Sequence, residues 1–241
     1  MFALFKKEIG SFLNTLTGFI VLAVFILANA LFLWVFSSGY NIIDNGYATV
    51  DGLFTIAPLA FLFLIPAITM RLFSEEKKSG TIELLLTKPL TELQVVLGKY
   101  LAALTLVIVA LIPTIIWVIT VYLMGLPVGN IDLGGTLGSY IGLLFIGALF
   151  VAVGLWASSI TDNQAAAFLI AVFLSGFLYM GFDFIAPFFG SVTLFVQSLG
   201  VNAHYQSLSL GVVDSRDVVY FLGCIVLFIF MTRLSLESRK W

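Results

Sequence analysis

The sequence predicts an all-α, polytopic membrane protein with six transmembrane helices and an N-terminal amphipathic interface helix. Of the 241 residues, 61% are hydrophobic and only 10% are charged, and the mean hydropathy is +1.14. A soluble domain carries about 25% charged residues, and a domain of this size exposes too much surface to hide so many apolar side chains. The apolar residues also form runs of about 20, the length that crosses a bilayer as a helix.

Residues 1–15 predict a helix that lies in the membrane interface. Apolar residues such as Phe5 and Ile9 recur at helical spacing, and Lys6 and Lys7 fall between them. Such an amphipathic pattern is typical of helices that lie along the bilayer surface. A positively charged leader ahead of the first span is the alternative.

Six apolar runs predict the spans of a single transmembrane domain, 1–241, at 16–36, 53–71, 100–124, 138–160, 164–182 and 218–234. Pro58 and Pro66 lie in the second run, where prolines usually kink a helix. Thr91 and Gln94 have the spacing of a capping box, which predicts a helix start just before span three. Segment 184–217 is broken by glycine and proline, and we expect short interfacial or re-entrant helices there, on the outer face.

The basic residues predict the orientation of the chain. Two precede span one, five lie between spans two and three, three follow span six, and only Arg216 falls on the opposite side. Basic residues concentrate in cytoplasmic loops. We therefore expect both termini and the charged loop 72–99 in the cytoplasm.

Three glycines near the start of span four, Gly134, Gly138 and Gly142, lie four residues apart. A face of small residues lets two helices approach closely, which makes these three candidate packing residues. Glycine is also common in membrane spans in general, and both interpretations stay open.

The sequence offers no pattern for catalysis, for a cofactor or for a metal ion. His204 is the only histidine, and no glycine-rich phosphate-binding loop is present. No predicted span has a charged residue near its middle, whereas ion-driven carriers usually need one. We therefore expect no enzyme activity in this chain and an energy source in a separate partner.

The charged loop carries the most specific motif. It reads Ser-Glu-Glu-Lys-Lys-Ser-Gly-Thr-Ile-Glu-Leu-Leu-Leu-Thr-Lys-Pro-Leu from Ser74, and Gly98-Lys99 follows. This segment resembles the first cytoplasmic loop of type-2 ABC exporter permeases, in which E-x-x-x-G-T-x-E-x-L-L precedes a proline and then G-K before span three. The resemblance covers nearly the whole chain. The stretch 202–220 is similar to that of the gliding-motility and nitrous-oxide-respiration branches, and the span pattern is most like the gliding-motility branch.

The resemblance implies a permease subunit in the inner (plasma) membrane of a bacterium. A separate cytoplasmic ATPase would bind the charged loop, and a second permease subunit, either an identical copy or a related GldG-like partner, would pair with this one. The lipid bilayer is the remaining partner. Nucleic acid is not expected as a partner. The residues implied in ATPase coupling are Glu75, Glu76, Gly80, Thr81, Glu83, Leu84, Leu85 and Pro89.

Two other functions stay open from the sequence. One is a mechanotransmitting or structural membrane subunit that shares the ATPase contact but transports nothing. The other is an ion-coupled carrier, against which the lack of a charged residue inside the spans argues. The sequence does not predict the cargo.

Overall fold

The computed structural model describes residues 1–86 and 91–238, and at residues 17 and 84–86 it describes the backbone alone. Helices make up 82% of the structure, and the described ranges contain no β-strand. These observations confirm the predicted all-α class.

The α-helices are α1 (Phe2–Leu13), α2 (Leu16–Trp34), α3 (Ile42–Asn45), α4 (Asp51–Thr69), α5 (Ser74–Lys78), α6 (Thr81–Leu86), α7 (Glu92–Leu111), α8 (Ile115–Met124), α9 (Leu133–Ile160), α10 (Gln164–Gly176), α11 (Phe182–Ile185), α12 (Thr193–Gln197), α13 (Val201–Ser209) and α14 (Ser215–Glu237). Two 3₁₀ segments, Ile112–Thr114 and Ala186–Val192, and one π segment, Phe177–Gly181, connect some of them.

Five helical segments are long and apolar enough to cross a membrane, namely Asp51–Lys78, Glu92–Met124, Leu133–Ile160, Gln164–Gln197 and Ser215–Glu237. Helices α1 and α2 are joined at a bend of 68°, and taken together they form a sixth candidate crossing. That bend turns the amphipathic α1 away from the direction of α2, as an interface helix requires. The structure is therefore that of a polytopic membrane protein.

Helix α9 is the centre around which the other spans pack. It contacts α4, α7, α10, α13 and α14, and its residues Ile146, Leu149 and Val153 are fully buried. A helix that is apolar on all sides belongs inside a bundle, which matches this position. Its glycines permit close contact: a Cβ on Gly154 would lie 2.1 Å from Thr69 Oγ1 of α4.

The glycines predicted for packing lie near the first residues of α9. A Cβ on Gly138 would lie 2.2 Å from the Leu208 carbonyl oxygen, and one on Gly142 would lie 2.7 Å from a ring carbon of Tyr205. Both neighbours belong to α13 of the same chain. At Gly134 the nearest atom is Asp132 Oδ1, at 3.3 Å.

Helix α7 begins at the predicted capping box, which the structure confirms. The backbone N–H of Gln94 donates to Thr91 Oγ1 at 3.3 Å, and the backbone N–H of Thr91 donates to Gln94 Oε1 at 3.1 Å. The box satisfies two N–H groups that a helix start leaves without partners. It fixes the first turns of α7, on which Lys99 lies.

Beyond α10 the chain continues as a series of short helical segments up to α13. Gly190 interrupts the 3₁₀ segment with φ 53°, a conformation that glycine adopts without steric cost. Helix α13 then packs on α9 and α14, and the Tyr205 hydroxyl donates to the Phe54 carbonyl oxygen at 2.7 Å. This segment closes the end of the bundle at which α9 and α14 begin.

We predict that Gly138→Ala destabilises the fold by about 1–3 kcal/mol, because the new methyl group would overlap a backbone carbonyl that cannot rotate away. The matched control is Gly223→Ala on α14, where a Cβ meets no atom within 4 Å and alanine improves helix propensity by up to about 1 kcal/mol. Thermal unfolding in detergent measures both variants. Equal melting temperatures for the two would contradict the packing role of Gly138.

Candidate functional site

The charged loop forms two short helices that follow α4 directly. Helix α5 ends at Lys78, and the hydroxyl of Ser79, the residue that follows, donates to the Glu75 carbonyl oxygen at 2.8 Å. Gly80 then takes a left-handed conformation, with φ 71°, which is the usual backbone at a helix C-terminus. This residue lets the chain turn from α5 into α6.

Lys99, on the second turn of α7, is the buried centre of this region. Its side chain is 1% exposed, and its ammonium lies 3.0 Å from Glu8 Oε1 and 2.9 Å from Glu76 Oε1. The ammonium also donates to the Leu72 carbonyl oxygen at 2.6 Å and lies 5.1 Å from the centre of the Phe73 ring. A buried charge persists only when it is paired and hydrogen-bonded, and Lys99 meets both conditions.

Lys7 completes a four-residue ion network with the same two carboxylates. Its ammonium lies 3.3 Å from both Glu8 Oε1 and Glu76 Oε1. Burial by itself lowers the pKa of Lys7, but the two carboxylates outweigh it, so that the pKa of Lys7 is raised above its ordinary value. Two positive and two negative groups make the network neutral overall.

The network joins three helices that are distant in sequence. Glu8 lies on α1, Glu76 on α5 and Lys99 on α7, and the contact between Glu8 and Lys99 spans 91 positions. The interface helix, the charged loop and the third span are therefore held together at one end of the bundle. The network borders a cavity of about 340 Å³ that Arg71 and Thr81 also line.

A second set of contacts attaches α5 to the far ends of two other spans. The Lys77 ammonium donates to the Ser159 carbonyl oxygen near the end of α9. The Ser235 hydroxyl of α14 donates to the same carbonyl oxygen at 3.0 Å. Helix α5 is therefore bonded to α1 and α7 through the ion network and to α9 through Lys77, and α14 is bonded to the same carbonyl oxygen of α9.

The residues predicted for ATPase coupling divide into two groups in the structure. Glu75, Gly80, Thr81 and Glu83 are exposed, so they are accessible to a partner. Glu76 instead points inward, into the ion network. The side chains of Leu84 and Leu85, and Pro89 as a whole, lie outside the described residues.

The sequence motif did not reveal two groups that the structure brings to the site. Glu8 follows Lys6 and Lys7 in the amphipathic segment, and only the tertiary fold pairs it with Lys99. Ile82 is 6% exposed and packs in the core, so it anchors α6 to the spans. The one signal in the sequence is Lys99 itself. A lysine in the early turns of an apolar helix indicates that a carboxylate from elsewhere in the chain is buried beside it.

Next to α5 lies an open polar cleft of about 600 Å³, against the turn between α9 and α10. Its lining includes Lys78, Asp162, Asn163 and Gln164. Across the described part of the chain, no group of three or more His, Cys, Asp and Glu side chains is placed to hold a metal ion. The exposed groups of this region suit contact with another macromolecule better than bond-making chemistry.

We predict that Lys99→Met lowers the free energy of unfolding by about 3–5 kcal/mol, because it leaves the buried Glu8 and Glu76 carboxylates without their main counter-charge. Lys78→Met is the matched control, since Lys78 is exposed on the same loop, and it should change stability by less than about 0.5 kcal/mol. Chemical denaturation in detergent measures both. Similar stability of the two variants would show that the network does not hold the loop.

A family model described as ABC-2 family transporter protein matches residues 2–241. The chain is also 28% identical over 188 residues to "Probable multidrug ABC transporter permease YbhS" of Escherichia coli strain K12 and to the protein of the same name in E. coli O157:H7. These matches cover 71% of this chain and 47% of each relative, so the chain spans about half the length of the curated relatives it matches. Because the family model covers nearly the whole chain, this protein belongs to the ABC-2 family of transporter proteins.

Proposed function

We propose that the chain is the membrane-embedded permease subunit of an ATP-driven (ABC) exporter and that a separate cytoplasmic ATPase drives it through the loop 72–99. One observation carries this proposal: α5 and α6 present exposed polar groups, and α5 is fixed to α1 and α7 by the buried Lys99 network. A solvated loop without a mechanical role needs no such attachment. In this account the inner membrane of a bacterium holds the protein, with both termini in the cytoplasm.

The exposed residues Glu75, Thr81 and Glu83 supply the register and specificity of the ATPase contact, because exposed charges steer association and disfavour wrong partners. Glu76 acts on the other side of α5, where it transmits displacement to Lys99 and Glu8. Movement of α5 therefore reaches α1 and α7 through the ion network and reaches α9 through Lys77. Gly80 lets α6 change its angle to α5 during this movement.

A second permease subunit belongs to the proposal, either as an identical copy or as a related partner. An apolar groove of about 410 Å³ lies between α2, α4 and α10 and supports this pairing. Its lining includes Ile20, Val24, Phe63 and Phe168, and Phe63 is 61% exposed. Within lipid, helices associate through close packing, and the groove offers a second subunit a shaped surface on which to pack.

Within the family we propose the gliding-motility branch, with a GldF-type permease, a GldG-like second subunit and a GldA-like ATPase. The support for it is the span pattern and the similarity of segment 202–220.

Multidrug export is the second candidate, supported by the name of the E. coli relatives. Purifying the protein with its native companions and identifying them by mass spectrometry tests the branch. Co-purification of motility proteins would favour the gliding-motility branch. Co-purification of an ATPase without motility proteins would favour multidrug export.

We predict that Glu83→Arg reduces the amount of ATPase that co-purifies by at least about tenfold, because reversing an exposed charge at a contact leaves like charges facing each other. Asp44→Arg is the matched control, since Asp44 is an equally exposed carboxylate on the predicted outer side. Both variants should keep the wild-type melting temperature. If the same amount of ATPase co-purified with Glu83→Arg as with the wild type, the proposed docking of the ATPase on α6 would be wrong.

The two other functions are separated from export by different measurements. A mechanotransmitter would hydrolyse ATP with its partner but would move no cargo in vesicles. The interface between its two permease subunits would stay closed in every nucleotide state. An ion-coupled carrier would transport without the ATPase and would follow a proton gradient. Transport that requires the ATPase and ignores the gradient is the result that export predicts.

A further inference from the structure

We propose that His204 is a protonation-dependent latch that fastens the short helices α12 and α13 to the last span, α14. The latch lies at the end of the bundle where α14 begins, opposite the end that carries α5. The inference does not depend on the proposed function, since it concerns only how this end of the fold is held.

The His204 ring has an oxygen atom at each of its two nitrogens. Nδ1 lies 2.6 Å from Asp217 Oδ1, in the first turn of α14, and Nε2 lies 2.9 Å from the Ser198 carbonyl oxygen, just after α12. The Tyr220 ring stacks on His204 at 3.9 Å between centroids, and its hydroxyl donates to the Leu199 carbonyl oxygen at 2.7 Å. One imidazole therefore connects the end of α12, α13 and α14.

Counting donors shows that this arrangement holds two protons. The carbonyl oxygen only accepts, so Nε2 must carry a proton. The contact between Nδ1 and Asp217 needs a second proton, whether it resides on the imidazole or on the carboxyl group. Removal of one proton leaves either the carbonyl oxygen or the carboxylate without its hydrogen bond.

The burial of Asp217 makes that loss costly. Asp217 is 5% exposed, and its second carboxylate oxygen is buried without a hydrogen-bond partner among the described residues. His204 is thus its main compensation, beside the favourable N-terminus of α14. A buried acceptor that loses its partner is destabilising, more so when it is charged.

Other ionisable groups near the latch do not replace it. On the elements packed against α13 these are Tyr140, Tyr179, Asp183, Asp214, Arg216, Asp217, Tyr220 and Cys224, with Asp51 near Tyr205. Asp183 already accepts a hydrogen bond from Asn202 at 2.8 Å. Burial raises the pKa of Tyr205 far above its ordinary value. None of these groups bonds both Asp217 of α14 and the Ser198 carbonyl oxygen after α12, as the His204 ring does.

The direction of the effect follows from the proton count. At low pH both hydrogen bonds form and the latch is closed. As the pH rises and one proton leaves, one bond is lost and α12 and α13 separate from α14 more often. The end of the bundle closed by these helices is therefore tighter in acid than in base.

Because His204 is the only histidine in the chain, ¹⁵N-histidine labelling reports the two ring nitrogens of a single imidazole without any mutation. We expect an NMR titration in nanodiscs to show two protons on the ring–carboxyl pair in acid and one as the pH rises. Over the same interval, hydrogen exchange of residues 198–209 should accelerate by about tenfold beyond the intrinsic effect of pH. Amides of α9 serve as the internal reference.

Two variants make the test specific. Asp217→Asn removes the carboxylate and should abolish the pH step in exchange. Asp183→Asn is the matched control, because it changes a neighbouring carboxylate outside the latch, and it should leave the step intact. The proposal is overturned if the ring holds a single proton throughout with Asp217 ionised, or if it titrates while the exchange of residues 198–209 stays constant.

Discussion

The buried ammonium of Lys99 is the constraint on which the loop end of the molecule depends. Two carboxylates, one from the interface helix and one from the charged loop, converge on it. A buried ion pair adds little net stability compared with apolar residues, but removing one partner is strongly destabilising. The network therefore acts less as a source of stability than as a fixed joint. It prevents α5 from moving without α1 and α7.

In the proposed mechanism the rest of the bundle receives such a movement. Helix α9 is packed on nearly all sides, and Gly138, Gly142 and Gly154 bring its backbone into contact with α13 and α4. Close packing of this kind transmits small shifts, because interiors have little free space in which to absorb them. Through Lys77, α5 also contacts α9 near Ser159. A permease that is driven by a separate ATPase needs such a continuous connection between the loop that binds the ATPase and its spans.

Much of this architecture was predictable from the sequence, since apolar runs must become helices in a bilayer. The capping box at Thr91 was predictable because its two partners lie three residues apart. The joint at Lys99 was not, because Glu8 is 91 positions away and only the tertiary fold brings it close. For the same reason the motif places Glu76 with the exposed residues of the loop, whereas the structure shows it in the ion network. Ile82 belongs to the same charged loop but packs in the core.

The central claim is that the loop between the second and third spans faces the cytoplasm and receives the ATPase. The most direct measurement is the reactivity of a cysteine at position 78, in a Cys224→Ala background, with a membrane-impermeant thiol reagent. The account predicts no labelling in intact spheroplasts, labelling in inverted vesicles, and protection there when the ATPase binds. Labelling from outside the spheroplast would contradict the account, since it would place α5 and α6 on the side that no cytoplasmic ATPase can reach.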